Sequence, residues 1–219
     1  MISNRDLLKV GFSKDDEKYL YKVCKRIFDI IASLIGIIVL LPIFLILIIL
    51  VKLDSKGPVF FSHNRLGKDA DIIKIYKFRS MVVDAKEVFD NFTDAQKEEF
   101  RINFKLDNDP RITKVGHILR KTSLDELPQL LNILIGNMSV VGPRPIIEEE
   151  VEKYGIYSKK LFTVKAGLTG FWQANGRSET TYEERVDMDM YYIDNMSIWL
   201  DIKIIFQTVL SVLQGKGAV

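Results

Sequence analysis

The chain has 219 residues, of which 47% are hydrophobic and 27% are charged, an ordinary composition for a folded protein with one substantial core. Its formal net charge of +2, from 31 Lys and Arg residues against 29 Asp and Glu residues, argues against a nucleic-acid-binding protein. One cysteine and two histidines exclude a disulfide framework and a thiolate or His-rich metal site, so any metal is expected to be an oxygen-bound ion such as Mg²⁺.

The first predicted element is a long apolar helix at residues 30–51, which carry no charged side chain. As a straight helix this segment would span about 33 Å, enough for the hydrocarbon core of a bilayer. It is too long for the core of a signal peptide, and no small-residue cleavage site follows it. The sequence therefore predicts a retained membrane segment.

The charges on either side of this segment indicate how it lies in the membrane. Residues 1–26 and residues 52–79 each carry seven Lys and Arg residues, whereas a spanning helix is expected to have an unequal distribution. Pro42 lies in the middle of the run, where it favours a kink or a break. A re-entrant helix that is broken at Pro42 satisfies both flanks, and a kinked spanning helix is the alternative. We therefore predict a basic N-terminal tail at 1–26, a re-entrant membrane helix at 27–51 and a cytosolic domain at 52–219.

Short helices separated by Gly- and Pro-marked loops are predicted for the rest of the chain, which makes the fold mainly α with minor β. Residues 55–61 indicate a turn that leads into a short extended piece. Residues 89–106 favour a helix. The C-terminal piece at 198–213 has apolar residues at helical spacing. An amphipathic core helix and a helix in the membrane interface would both show this pattern.

The stretch TSLDELPQL at residues 122–130 places two carboxylates side by side, Asp125 and Glu126. Ser123 and Glu126 fit a capping box, and Asp125 fits an N-cap with Pro128 in the first turn. Either pattern would place the acids at a helix start, where the helix dipole favours an ionised carboxylate. On this local pattern, a helix cap and the working centre of an enzyme both remain open.

Basic residues in rigid loops lie near this pair in sequence. Arg111 and Arg144 stand in the stretches DPR and GPRP, where proline restricts the loop before any ligand arrives. A guanidinium group held in this way can bind a phosphate through two hydrogen bonds. Two adjacent carboxylates repel each other unless a cation lies between them, and Mg²⁺ prefers one or two carboxylates together with phosphate oxygens. The acids, a metal ion and the arginines together predict a protein that handles a diphosphate.

Several stretches, taken in chain order, resemble those of the bacterial sugar transferases, which are monotopic phosphoglycosyl transferases acting on polyprenyl phosphate. The resemblance covers residues 23–213, and its most specific part is the block at 109–145. The matching stretches are KRIFDI (25–30), GPVFFSHNRLG (57–67), YKFRSM (76–81), DPRITKVGHILRKTSLDELPQLLNILIGNMSVVGPRP (109–145), GLTGFWQANGR (167–177) and YYIDNMSIWLDIKIIFQTV (191–209).

The resemblance implies a helical cytosolic catalytic domain, with interfacial amphipathic helices, on a re-entrant membrane helix broken at a proline. It implies the cytoplasmic face of the bacterial inner membrane as the location. The implied partners are a UDP-sugar donor, undecaprenyl phosphate as acceptor and membrane lipid, with Mg²⁺ as the cofactor and no nucleic acid. Self-association into a homo-oligomer is left open. Such a protein would start the synthesis of a surface polysaccharide or glycoconjugate.

The resemblance also implies roles for individual residues. Asp125 would attack the sugar-bearing phosphate, release UMP and carry the phosphosugar until polyprenyl phosphate displaces it. Glu126, together with Asp125, would hold Mg²⁺ at the diphosphate. The residues implied in binding the charged substrates are Lys77, Arg79, Arg111, Arg144, Arg177, Asp189 and Asp201.

Two other functions remain hypotheses on the sequence. One is a membrane-anchored, Mg²⁺-dependent phosphatase that attacks with Asp125 and releases its product to water. The other is a non-catalytic membrane anchor that recruits glycan enzymes. For the transferase itself, the sugar is open between glucose or galactose phosphate and an N-acetylated sugar.

Overall fold

The computed structural model describes residues 14–103, 106, 108–176 and 180–213. Most of this part is helical, and two small sheets make up its β structure, so the predicted mainly α fold is confirmed. The helices are α1 (Lys14–Asp54), α2 (Ala85–Asp90), α3 (Asp94–Asn103), α4 (Lys114–Thr122), α5 (Gln129–Ile135), α6 (Val151–Tyr154), α7 (Ser158–Leu161), α8 (Phe171–Asn175), α9 (Tyr182–Asp194) and α10 (Ile198–Leu213). The strands are β1 (Phe60–Leu66), β2 (Ile72–Phe78), β3 (Ser139–Val141) and β4 (Gly167–Thr169).

Among the described residues, α1 is the one helix that is long and apolar enough to cross a membrane, over Tyr19–Asp54. The helix begins at Lys14, so it includes the second half of the segment predicted as a tail, and residues 1–13 lie outside the described residues. The chain stays helical through Pro42. A break at Pro42 is therefore not seen in the helix, and the re-entrant path through a membrane stays a prediction.

One stripe of α1 faces the rest of the protein, and the other sides of the helix are exposed. The stripe recurs every three or four residues, as the helical period requires, and it continues in phase before and after Pro42. Its members are Asp29, Ser33, Ile37, Leu40, Phe44, Leu47 and Val51. Because both halves of the helix pack on the same body, α1 belongs to the core of the fold as well as to its apolar surface.

Polar residues near the start of the apolar run attach α1 to two other elements. The Asp29 carboxylate is buried and accepts hydrogen bonds from the Ser139 hydroxyl and the Val140 N–H, both at 2.9 Å. Arg26 donates to two consecutive carbonyls at the C-terminal end of α5, at 2.7 and 2.8 Å. A buried carboxylate with two donors is well satisfied, and unpaired carbonyls at a helix end are completed by the guanidinium group. These contacts hold α1 against α5 and β3.

Strands β1 and β2 form an antiparallel hairpin, with Leu66 opposite Ile72 next to its turn. The hairpin is held on α5 by Asn132, whose side chain is wholly buried. Its amide oxygen accepts from the Tyr76 N–H at 2.9 Å, and its amide nitrogen donates to the Lys74 carbonyl at 2.6 Å. The Asn132 side chain therefore provides hydrogen-bond partners for the edge of β2, which would otherwise need another strand.

Strands β3 and β4 pair in parallel, and glycines bring the following loop close to them. The Gly142 N–H donates to the Thr169 carbonyl at 2.9 Å, and the Gly167 N–H donates to the Pro143 carbonyl at 2.8 Å. A Cβ atom on Gly142 would lie 2.5 Å from the Lys165 carbonyl oxygen, so only glycine fits at this position. The close backbone contact fixes the start of the GPRP loop.

Helix α10 is buried on one side and apolar on the other. Ile204 and Asp201 are buried, whereas Trp199, Ile202 and Phe206 are 77%, 48% and 64% exposed. The apolar residues predicted at helical spacing therefore do not form a purely internal face. An exposed apolar face with a terminal tryptophan is typical of a helix in the membrane interface.

Replacing Asn132 by leucine tests whether this side chain fixes the hairpin. Asn132→Leu leaves the Tyr76 N–H and the Lys74 carbonyl, which lie in part-buried contacts, without their partner, so we expect a loss of roughly 1–3 kcal/mol in the free energy of unfolding. Chemical denaturation of the detergent-solubilised protein measures this loss. Leu131→Ala, at a position 44% exposed on the same helix, is the matched control and should change the free energy little. Equal stabilities for the two variants would contradict the assignment.

Candidate functional site

The acid pair lies at the junction between α4 and α5. Helix α4 starts at Thr113, whose hydroxyl accepts from the Gly116 N–H at 3.0 Å, and ends at Ser123 in a left-handed conformation with φ 57°. A single turn, Leu124–Glu126, carries the two acids. Pro128 takes the N-cap position of α5, and the Ser123 side chain makes no capping hydrogen bond in this described segment. The helix-cap interpretation is therefore wrong for these side chains.

Lys77, which comes from β2, lies between the two carboxylates. Its ammonium group is 2.6 Å from Glu126 Oε1 and 3.5 Å from Asp125 Oδ2. The Asp125 side chain is 10% exposed and the Glu126 side chain 37% exposed. A cation in this place relieves the repulsion between adjacent carboxylates. The structure thus brings together three of the predicted site residues.

Burial and Lys77 act in opposite directions on the two carboxyl groups. Burial raises the pKa of Asp125, and the attraction of Lys77 only partly offsets it, because the Glu126 carboxylate repels the Asp125 charge. Burial also acts to raise the pKa of Glu126, but Lys77 and Arg144 outweigh it and hold that pKa below its ordinary value. The pair therefore consists of one more basic carboxylate and one that stays ionised to lower pH.

Three guanidinium groups lie within electrostatic reach of this pair or of each other. Arg144, from the GPRP loop, acts on Glu126. Arg120, from α4, acts on Asp125 and donates to the Ser80 hydroxyl at 2.9 Å. Burial, together with the nearby Arg144, lowers the pKa of Arg65 to about 10. Cations that repel each other in this way are stabilised by an anion such as a phosphate.

Arg65 was not among the residues predicted from the sequence. The hairpin register pairs Phe61 with Lys77 and Arg65 with Ile73, which places Arg65 and Lys77 on the same face. Arg65 could have been predicted from this alternation of side chains along β1. The sequence predicted only a short extended piece there and gave no register.

Arg79 and Arg111 lie in buried contacts of their own. Arg79 donates to the carbonyl and hydroxyl oxygens of Ser55 at 2.7 and 3.0 Å, where it completes the C-terminal end of α1. Arg111 forms a buried ion pair with Asp109 at 2.6 Å, and its guanidinium carbon lies 5.1, 5.2 and 5.1 Å from the centres of three phenylalanine rings. Both arginines stabilise the fold, and their predicted roles in substrate binding stay predictions.

Two predicted residues of the C-terminal half, Asp189 and Asp201, are also buried. Asp189 is fully buried and accepts from the Tyr154 hydroxyl at 2.8 Å, and burial raises the pKa of Asp189 to about 7. Asp201 accepts from Lys25 at 2.8 Å and thereby joins α10 to α1. Arg177 lies outside the described residues. Binding of substrate by these three residues remains a prediction.

A small cleft, with room for about one water molecule, lies beside Arg144. Its walls combine aromatic rings with charged groups from α6, α8 and α9 and from the turn before α6. We call it the aromatic cleft and define it by Arg144, Glu150, Tyr154, Trp172, Tyr182 and Arg185. Since Arg144 also acts on Glu126, the cleft adjoins the surroundings of the acid pair.

The donor set at the acid pair fits Mg²⁺. Within the described residues, no three His, Cys, Asp or Glu side chains come together as a metal site. Mg²⁺ usually binds to one or two carboxylates and completes its coordination with substrate phosphates and water. Asp125 and Glu126 supply such a pair, and the more exposed Glu126 is the accessible ligand.

Comparison with known proteins gives consistent matches along the chain. The family model described as bacterial sugar transferase matches residues 20–215. A UDP-galactose-lipid carrier transferase of Erwinia amylovora is 45% identical over 99% of this chain and 46% of its own length. The exopolysaccharide production protein ExoY of Rhizobium meliloti is 44% identical over 90% of this chain and 88% of its own length.

A third relative is a UDP-glucose:undecaprenyl-phosphate glucose-1-phosphate transferase of Klebsiella pneumoniae. It is 45% identical over 90% of this chain and 41% of its own length. The chain thus spans less than half the length of the Erwinia and Klebsiella relatives and most of the length of the Rhizobium relative.

Removal of the cation between the acids should make the stability of the protein more sensitive to pH. In Lys77→Met the two carboxylates face each other without the ammonium group, so their pKa values in the folded state rise and the folded protein holds its protons to higher pH. The deficit in unfolding temperature relative to the wild type should therefore be larger at pH 8 than at pH 4. Lys74→Met, at an exposed position on the same strand, is the matched control. A deficit that does not grow with pH would refute the role given to Lys77.

Asp189 should also contribute to the pH dependence of stability. Its pKa is raised from 3.8 to about 7 in the folded protein, so the folded state binds the extra proton, and this group's contribution to stability falls as pH rises from about 4 to about 7. Asp189→Asn keeps an acceptor for the Tyr154 hydroxyl but carries no charge. The unfolding temperature of this variant relative to that of the wild type should therefore rise between about pH 4 and about pH 7. The matched control is Asp187→Asn, at an exposed position on the same helix. A constant difference from pH 4 to 8 would contradict a buried, titrating Asp189.

Proposed function

The chain belongs to the bacterial sugar transferase family, and we propose that it transfers a sugar 1-phosphate from a UDP-sugar to undecaprenyl phosphate. The names of the Erwinia and Klebsiella relatives, which include a UDP-sugar and a lipid carrier or undecaprenyl phosphate, support this donor and this acceptor. The structural observation that carries the proposal is the acid pair, Asp125 and Glu126, held by Lys77 next to Arg144 and Arg65. Carboxylates and phosphate-binding cations are the groups that such a transfer needs.

Asp125 is proposed as the nucleophile in preference to Glu126. Its contact with Lys77 is longer, at 3.5 Å against 2.6 Å, which leaves an Asp125 oxygen less engaged. Its raised pKa makes it the more basic carboxylate of the two. Burial excludes water around it, which protects a covalent intermediate against hydrolysis.

The proposed reaction has two balanced steps. In the first, an Asp125 oxygen forms a bond to the sugar-bearing phosphorus, and the bond to UMP breaks with its electron pair leaving on UMP. In the second, an oxygen of undecaprenyl phosphate forms a bond to the same phosphorus, and Asp125 leaves as a carboxylate. The product is undecaprenyl diphosphate sugar. Splitting the transfer in this way avoids bringing two anionic substrates together in one step.

The charged groups around Asp125 take the remaining roles in the proposal. Lys77, Arg144 and Arg65 bind phosphate oxygens of the donor and reduce the repulsion that the attacking carboxylate meets. Glu126, together with the neighbouring Asp125, would hold Mg²⁺. When bound, Mg²⁺ supplies positive charge at the diphosphate and favours departure of UMP.

We propose that the protein works on the cytoplasmic face of the bacterial inner membrane, where its UDP-sugar donor is found. The apolar surfaces of α1 and α10 support membrane association. The re-entrant path, which would keep both ends of α1 on one face, stays a prediction, because the helix is continuous through Pro42. The lipid product would start a surface polysaccharide. Self-association stays a prediction.

Asp125→Asn should abolish the covalent intermediate. Purified protein in detergent is mixed with Mg²⁺ and a panel of UDP-sugars, without the lipid acceptor. Intact-mass spectrometry should show an added phosphosugar on the wild type, with UMP released in parallel. The variant should show no adduct and a loss of activity of at least about 10³-fold. Asp69→Asn, at an exposed position in the turn of the hairpin, is the matched control and should form the adduct.

The same reaction distinguishes the rival functions. Replacing Mg²⁺ by EDTA should stop UMP release, and added Mg²⁺ should restore it. Product formed from undecaprenyl phosphate without any adduct on the wild type would mean direct transfer and would contradict the role of Asp125 as nucleophile. Steady release of sugar phosphate to water without a lipid acceptor would indicate a phosphatase. No reaction with any donor, with or without the acceptor, would favour the membrane-anchor hypothesis.

A further inference from the structure

Two exposed rings lie on the same face of the hairpin as two of the proposed phosphate-binding cations. Side chains alternate between the two faces along β1, so Phe61, His63 and Arg65 share one face. Lys77 lies directly opposite Phe61 on β2, and the Cβ atoms of such a cross-strand pair are about 5 Å apart. The two rings are therefore next to Lys77, whose ammonium group contacts the acid pair.

Core packing engages the other face of β1 and leaves these two rings exposed. Phe60 packs its ring against the buried Phe78, with the ring centres 5.2 Å apart. Phe61, by contrast, is 53% exposed, and His63 is exposed as well. Their ring centres lie 6.2 Å apart, with an angle of 42° between the ring planes. The pair thus presents aromatic surface beside charged groups.

The imidazole of His63 gives this surface a polar part. Arg65 Nη1 lies 3.5 Å from His63 Nε2. Burial, together with the positive charges of Arg65 and Lys77, lowers the pKa of His63. The ring is therefore neutral at neutral pH and offers one hydrogen-bond donor and one acceptor. A hydrocarbon chain would give these two groups no partner, whereas the polar edge of a nucleobase would.

A ring, a neutral hydrogen-bonding group and two cations in one row match the parts of a nucleoside diphosphate. A nucleobase is flat and uncharged, and it stacks on exposed aromatic side chains with little regard to its sequence identity. Its phosphates need cations, which Lys77 and Arg65 provide. One ribose separates the base from the nearer phosphate, and one cross-strand spacing separates Phe61 from Lys77. The spacing of the row therefore agrees with a ligand that has its phosphates at the acid pair.

We propose that Phe61 and His63 form the uridine subsite of the donor, in which the uracil ring stacks on Phe61 and its polar edge bonds to the His63 imidazole. This assignment rests on the proposed function and deepens it. The base lies away from the phosphorus that reacts, so its contacts are equal before and during the reaction. Loss of these contacts should raise KM for the donor and leave kcat little changed.

Discrimination between UMP and ribose 5-phosphate, which is UMP without the base, tests the assignment. The measured ratio is the concentration of ribose 5-phosphate that halves the rate of adduct formation, divided by the same concentration for UMP. Phe61→Leu keeps an apolar side chain and removes the flat ring. We expect this ratio to fall about 10-fold in the variant, with inhibition by ribose 5-phosphate unchanged. KM for the UDP-sugar should rise with little change in kcat.

Phe60→Leu is the matched control, because it makes the same change at a position 46% exposed on the other face of β1. It should keep the wild-type ratio and the wild-type KM. If Phe61→Leu does not fold, His63→Ala decides by the same ratio, because it removes the group that would bond to the edge of the base.

Other outcomes overturn the assignment in distinguishable ways. An unchanged ratio in Phe61→Leu, with adduct formation intact, would remove the uridine from this face and leave the proposed function standing. A rise in KM for undecaprenyl phosphate alone would mean that the acceptor chain covers Phe61. Weaker binding to lipid vesicles with an unchanged ratio would place the ring in the bilayer. Absence of an adduct on the wild type with every donor would remove the proposed function, and this assignment with it.

Discussion

The described structure depends on the packing of one stripe of α1 against the rest of the chain. Leu47 and Val51 pack with Phe78 and Leu119, and Ile37 and Leu40 pack against the cluster around Ile133. The same stripe carries the buried Asp29, whose carboxylate holds β3. Strand β2 and helices α4 and α5, which position the acid pair, all contact this stripe or its neighbours. An apolar surface and a protein core are thus provided by two sides of one helix.

The candidate site follows from opposing effects that act on two adjacent carboxylates. Burial makes Asp125 a stronger base, whereas Lys77 and Arg144 keep Glu126 ionised. Neither effect alone would give the proposed nucleophile next to the proposed metal ligand, because a buried pair without cations would hold a proton and an exposed pair would stay equally acidic. The contact with Lys77, which is 2.6 Å for Glu126 and 3.5 Å for Asp125, is what separates the two carboxyl groups.

Features that depend on local sequence could be predicted, and features that depend on packing could not. The apolar helix, the mainly α fold and the acid pair follow from composition and spacing. Arg65 could be recognised only from the register of the hairpin. The family resemblance led to Arg79 and Arg111 as substrate-binding candidates. A sequence shows a cation without showing the Ser55 oxygens or the Asp109 carboxylate that engage it. The cap interpretation failed because Pro128, and not an acid, takes the N-cap of α5.

Because α1 provides both an apolar surface and part of the core, the rest of the chain depends on this helix to fold. Without this helix, Phe78, Leu119 and Ile133 would lose part of their apolar cover, and the Ser139 hydroxyl and Val140 N–H would lose the Asp29 carboxylate. A truncation that starts after residue 54 is therefore expected to aggregate and not to yield a soluble catalytic fragment. With the proposed membrane association, folding of the domain and insertion of α1 into lipid become coupled, because one helix takes part in both.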